Sequence, residues 1–238
     1  MELKSVVPWG RSFEEYKNIF SLTDQDLSKR ILGCGDGPAS FNAKLTTMGG
    51  SATSVDPTYQ FTATELQSRI DEVYQEIMPQ AEKNKDMYVW RHIPSVEALG
   101  KIRMSAMENF LSDYDQGKKE GRYIEASLPN LPFKDSEFEL ALCSHYLFLY
   151  SDQVSLNEHI ESLLELCRVA NEIRVYPLLA LNGELSPHLN QVISELKKYG
   201  HTSELVNVAY EFQKGANQML VVNTCNKARQ NRPAGWTR

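Results

Sequence analysis

The chain has 238 residues, 42% hydrophobic and 24% charged, a balance that suits one large α/β domain, or a domain with an insertion, and argues against global disorder. Its net charge of −6 argues against nucleic acid as the main partner, because a phosphate backbone is gripped by a basic surplus. Four cysteines, at positions 34, 143, 167 and 225, lack the CxxC spacing of a zinc or redox motif and fit a reducing compartment.

Ser12 and Glu15 have the spacing of a capping box, and Phe13, Tyr16, Ile19 and Phe20 follow at helical intervals. Pro8-Trp9-Gly10-Arg11 precedes that helix, and 23–27 can start a short second one. A first strand is expected around 30–32, a helix over 39–48 and a second strand over 51–55, ending on Asp56-Pro57. The next stretch reads as helices over 64–77 and 95–114, with a polar exposed turn at 116–121. A simple connection between strands is much shorter, so 58–122 is expected to be a helical insertion. Strands follow at 122–126 and 138–144, the latter a nearly continuous apolar run of the kind buried on both faces. A helix over 156–168, a strand over 172–176 and a helix over 187–199 come next. Strands at 205–212 and 218–223 are joined as a hairpin through Lys214-Gly215-Ala216-Asn217. Such alternation implies a mostly parallel sheet, whose ligands bind beyond the carboxyl ends of its strands.

The stretch with chemical content is Ile31-Leu32-Gly33-Cys34-Gly35-Asp36-Gly37-Pro38. Glycines let backbone N–H groups approach a polar ligand at a strand-to-helix turn. The dinucleotide pattern GxGxxG fails because its third glycine falls on Pro38, and no Lys follows as a triphosphate loop requires.

This stretch resembles motif I of the class I S-adenosylmethionine-dependent methyltransferases. Asp56, nineteen residues past Gly37, stands where the family's second strand ends in an acid that bonds the two ribose hydroxyls. Ser127 to Phe133, then Phe138 to Leu142, is similar to the family's LPF loop and fourth strand, and the terminal hairpin matches its reversed seventh strand. Two positions depart from the family: Ile31 stands where an acid commonly meets the methionine ammonium, and Ser127 where an acid lies near the adenine amine. Asp36 is placed either to cap the following helix or to meet the ammonium.

The resemblance implies a Rossmann-like, doubly wound, mostly parallel seven-stranded sheet with a terminal antiparallel hairpin and a helical insertion. It implies an N-terminal segment, 1–28, over the cofactor, a methyltransferase-like domain over 29–225 with its insert at 58–122, and a flexible basic tail over 226–238. The cofactor is S-adenosyl-L-methionine. Its expected contacts in the glycine turn are Gly33, Cys34, Gly35, Asp36 and Gly37. Asp56, Pro57, Ser127, Leu128 and Ser144 follow, and Arg11 and Tyr16 reach it from the N-terminal segment. His145, just past the fourth strand, is the candidate base, near neutral in its ordinary titration. Tyr146 and Tyr150 can line the acceptor pocket, and Arg91 with His92 is a weaker candidate for an anionic acceptor. His159, His188 and His201 read as surface residues.

Methyl transfer to a small-molecule acceptor is the expected activity, with a non-catalytic cofactor-binding protein and a protein methyltransferase as alternatives. No His/Asp/Glu cluster has metal-ligand spacing, so no metal is expected. The N-terminus lacks a signal-peptide pattern. The most apolar run, 140–150, is about half the ~20 residues needed to span a bilayer. A cytoplasmic protein with no membrane partner is the expectation.

Overall fold

A computed structural model describes residues 7–225; the expected tail at 226–238 lies outside the described residues. In chain order it has α1 (Phe13–Ile19), α2 (Asp24–Leu27), β1 (Arg30–Cys34), α3 (Phe41–Thr47), β2 (Ser51–Val55), α4 (Ala63–Lys83) and α5 (Val96–Lys119). Then come β3 (Tyr123–Ile124), β4 (Phe138–Ser144), α6 (Leu156–Val169), β5 (Ala170–Tyr176), α7 (Leu189–Lys198), β6 (Thr202–Asn207) and β7 (Gln218–Asn223).

The seven strands form one sheet in the order β3-β2-β1-β4-β5-β7-β6. The pairings from β3 through β5 are parallel, and β7 runs antiparallel to both β5 and β6. This is the expected Rossmann-like, mostly parallel sheet with a terminal antiparallel hairpin. Alternation within the strands builds two cores. Leu32, Ala141 and Cys143 face one side, where they join Leu163 of α6 and Leu196 of α7. Ile31, Leu140 and Leu142 face the other, against Phe13 and Tyr16 of α1 and Phe41 of α3. Successive side chains point to opposite faces, so a strand buried on both sides is apolar at every position.

Three elements differ from expectation. The hairpin's first strand is 202–207, not 205–212. Residues after Asn207 leave the sheet because Tyr210 and Phe212 find better partners: Tyr210 donates to Glu15 at 2.9 Å, and Phe212 stacks on Tyr88 at 4.7 Å. Helix α4 continues past Ile77 to Lys83 with Pro79 inside it. Helix α5 runs through the expected polar turn to Lys119, and a side chain at Gly117 would meet the Tyr123 ring at 2.4 Å. That glycine is a packing residue, not a turn.

His159 and His201 are buried, contrary to the surface reading, and His188 is half-buried. Helix α6 buries a broader face than its aliphatic residues alone mark, and His159 lies on it against Phe148, with ring centroids 5.2 Å apart. The loop after β3 is tied down by Arg168 and Glu165 of α6. Arg168 donates to the Phe133 and Leu131 carbonyls, and Glu165 accepts from Leu131 N–H. That loop therefore has a fixed position beside the strand ends.

Candidate active site

β1 is flanked by β2 on one side and β4 on the other, so the sheet order reverses there and a crevice opens beyond their carboxyl ends. A cavity of about 230 Å³ fills it. The glycine turn forms its floor. Gly35 has φ +66°, a left-handed conformation that a side chain strains, and its N–H donates to the Val55 carbonyl at 3.0 Å. Gly33 acts differently: a Cβ there would lie 1.8 Å from Asp36 Oδ2. The missing side chain is what lets the Asp36 carboxylate fold back over the strand end.

Asp36 is buried at the cavity wall. Its Oδ1 accepts from the Tyr16 hydroxyl and its Oδ2 from the Ser54 hydroxyl, each at 2.7 Å. Burial pushes its acid up to about 6, with the Asp56 charge adding to the rise and the two hydroxyls opposing it. Of the two roles expected for it, helix capping is excluded: Ser40 is the N-cap of α3, which has no side-chain cap bond.

Asp56 also faces the cavity. Its Oδ2 accepts from Gly37 N–H at 2.9 Å, and its Oδ1 accepts from the Thr58 N–H at 2.8 Å and the Thr58 hydroxyl at 2.5 Å. A carboxylate has about four lone-pair sites, so three are committed and one on Oδ2 stays open. Bonds within the chain thus occupy most of the carboxylate to which the two ribose hydroxyls were expected to bond. Burial raises the Asp56 acid, against the bonds from Thr58 and Gly37.

The N-terminal segment closes the cavity. Val7, Trp9, Arg11 and Tyr16 line it, as do Pro57, Ser127 and Leu128 from the loops past β2 and β3. Ser144 and His145 line it at the end of β4. The expected contacts Gly33 and Cys34 lie within β1 and are not among the lining residues. Cys34 is fully buried in the core. Trp9, Thr58 and Tyr146 line the cavity without having been singled out as cofactor contacts.

His145 has φ +53°, uncommon for a non-glycine residue, and its N–H donates to the Tyr176 carbonyl at 2.7 Å. Its Nδ1 lies 2.8 Å from Ser144 Oγ. Burial, then the charges of Arg11 and Arg103, hold the imidazole well below its ordinary range, so it is neutral at pH 7.

A second cavity of about 100 Å³ shares Val7, Trp9, Arg11 and His145 with the first. It extends under the α4–α5 region to Arg103, Tyr88 and Phe212, and Tyr150 lines it while Tyr146 lines the first. Arg91 and His92 line neither; both are exposed, and the His92 ring stacks on Tyr210 at 5.7 Å. Arg103 is the functional candidate that sequence reasoning missed. Its signal was present, because it sits four residues after Leu99 and four before Met107, on the buried face of α5. Glu15 accepts from it, from Ser12 N–H at 3.0 Å and from the Tyr210 hydroxyl. Arg103 holds the Glu15 carboxyl down at about 2, against the opposing effect of burial.

Among the described residues no helix is long and apolar enough to cross a membrane, and no group of three or more His, Cys, Asp or Glu is gathered as a metal ion requires.

No protein-family model matches the chain. The uncharacterized protein MJ0045 of Methanocaldococcus jannaschii is 33% identical over 227 residues, covering 93% of this chain and 98% of that protein. The chain belongs to the same family as MJ0045. Among solved structures it is similar to the PH0226 protein of Pyrococcus horikoshii, at 11% identity with a TM-score of 0.43 over 89% of this chain and 90% of that one. It is also similar to the magnesium protoporphyrin IX methyltransferase of Synechocystis with bound SAM, at 11% identity with a TM-score of 0.45 over 89% of this chain and 77% of that one. The strand order, rather than these superpositions, defines the fold.

Proposed function

We propose that this protein is a class I methyltransferase that binds S-adenosylmethionine in the cavity over Gly35 and methylates a small molecule. The observation that carries the reading is the pair of buried acids, Asp36 and Asp56, facing one cavity at the switch point of the sheet. A cationic nucleoside fits such a donor set. Asp36 receives the methionine ammonium in place of the acid that Ile31 lacks, since Ile31 is buried in the core five residues earlier. The open lone pair of Asp56 takes a ribose hydroxyl, and the adenine edge lies by Ser127 and Leu128. Bound there, the cofactor would supply an electrophilic sulfonium methyl to the acceptor's lone pair.

Such a displacement depends mainly on alignment. Ser144 and His145 line both the end of β4 and the cavity, and His145 also lines the adjoining space where an acceptor can enter. With Nδ1–H donated to Ser144 Oγ, the neutral imidazole offers Nε2 as a hydrogen-bond acceptor that orients an acceptor hydroxyl or amine. Trp9 and Val7 line the cavity from the N-terminal segment. Calorimetric titration with S-adenosylmethionine and its demethylated product tests the reading. Saturable one-to-one binding that weakens in Asp36→Asn supports it, and no heat at high micromolar ligand counts against it.

A further inference from the structure

The second cavity has an unbalanced charge. Two guanidinium groups, Arg11 and Arg103, line it, and among the described residues no Asp or Glu does. Glu15 stands behind them, and its negative charge acts on Arg11. It is bonded to Arg103, Ser12 and Tyr210. One carboxylate thus serves two cations, of which Arg103 is fully buried and Arg11 half-buried. Among the described residues neither Arg11 Nε nor Arg103 Nε has a hydrogen-bond partner, although both atoms are shielded from solvent. Arg11 donates through NH1 to the Trp9 carbonyl, at 2.5 Å. A buried, unmatched cation with free N–H groups is costly unless a ligand completes it, and a guanidinium fork matches a carboxylate.

The rest of the wall is apolar or aromatic: Met87, Tyr88, Leu149, Tyr176 and Phe212. Tyr88 and Phe212 form a flat stacked pair, 10° between planes. A space of about 100 Å³ admits only a compact group. Arg103 lines this cavity and not the first, whereas Arg11 and His145 line both.

Resting on the cofactor reading above, we propose that the second cavity is the acceptor seat and that it takes a small carboxylate with an apolar body, anchored by Arg11 and Arg103. A carboxylate on the cofactor itself is the competing source of the same chemistry, and it would reach Arg11 from the first cavity.

The test is calorimetry with propionate and benzoate against propionamide and benzamide, on protein alone and on protein saturated with S-adenosylhomocysteine. The carboxylates are expected to bind at least about tenfold more tightly than the amides in both states. The Glu15→Gln/Arg103→Met pair, which removes one charge of each sign, is expected to reduce that preference several-fold, leaving only the share that Arg11 supplies, while S-adenosylhomocysteine affinity stays in place. Equal binding of carboxylates and amides overturns the proposal. So does carboxylate binding that disappears when S-adenosylhomocysteine occupies the protein, since the seat would then belong to the cofactor. If S-adenosylhomocysteine fails to bind but carboxylates bind through Arg103, the anion seat stands and the cofactor reading falls. Should the double variant not fold, the carboxylate–amide comparison on the unaltered protein decides alone.

Discussion

Tyr16 donates its hydroxyl to Asp36 Oδ1 at 2.7 Å, which fastens the N-terminal helix to the glycine turn in the wall of the cavity over Gly35. The bond does two things at once. It holds α1 over the site, and it fixes one oxygen of a carboxylate that the missing side chain of Gly33 admits to the strand end. Replacing Asp36 by Asn keeps the shape but removes the charge. The expected result is a loss of cofactor affinity of about 1.5–3 kcal/mol, the range for hydrogen bonds to charged groups, measured by calorimetry.

Cofactor affinity should also depend on pH through Asp36. Its ordinary value of 3.8 is raised to about 6 in the folded protein, chiefly by burial. Between these values the folded state holds the proton more tightly than the unfolded state. That contribution to stability is therefore full below the unfolded value and lost as pH rises through 6. An ammonium ligand needs the ionised acid, so binding should weaken about tenfold per pH unit below 6 and level off above it. Titrations at several pH values check this; a flat profile in wild type, or an unchanged one in Asp36→Asn, would contradict it.

Asp56→Ala should weaken the cofactor by a similar margin, roughly 1.5–3 kcal/mol if the carboxylate meets a ribose hydroxyl. It also frees the N–H groups of Gly37 and Thr58. Asp56→Asn separates the two effects, because its carbonyl oxygen can keep one of those bonds. Affinity unaffected by either change would remove Asp56 from the binding site.

Glu15 joins three parts of the chain: its own cap Ser12, Arg103 of α5 and Tyr210 past β6. Glu15→Gln leaves the Arg103 guanidinium buried without its counter-ion, and such losses cost about 3–5 kcal/mol. Thermal or denaturant unfolding should show that destabilisation, and adding Arg103→Met should recover much of it. The same carboxylate, held down at about 2, has an ordinary value of 4.5, so its contribution is present above 4.5 and lost as pH falls toward 2.

Much of the architecture was legible because its signals are local. The cap of α1 is a Ser-x-x-Glu pattern, β4 is an unbroken apolar run, and the glycine turn needs backbone that only glycine supplies cheaply. What stayed hidden is tertiary. The spacing of Arg103 puts it on the buried face of α5, but its counter-ion, Glu15, lies eighty-eight residues earlier and meets it only in the fold. Residues 208–212 read as strand by composition, yet Glu15 and Tyr88 draw Tyr210 and Phe212 out of the sheet. His159 is polar in sequence and buried against Phe148 in the fold. Most residues that line the cavity over Gly35 were named from the family resemblance. The charge balance of the adjoining cavity was not, because it depends on side chains from α1 and α5 meeting in space.

A structure of the protein with S-adenosylhomocysteine tests directly whether the cavity over Gly35 holds the cofactor through Asp36 and Asp56. The ligand's ammonium is expected within hydrogen-bond reach of the Asp36 carboxylate, with a ribose hydroxyl on Asp56 Oδ2. A ligand bound elsewhere, or in this cavity with its ammonium turned away from Asp36, would contradict it.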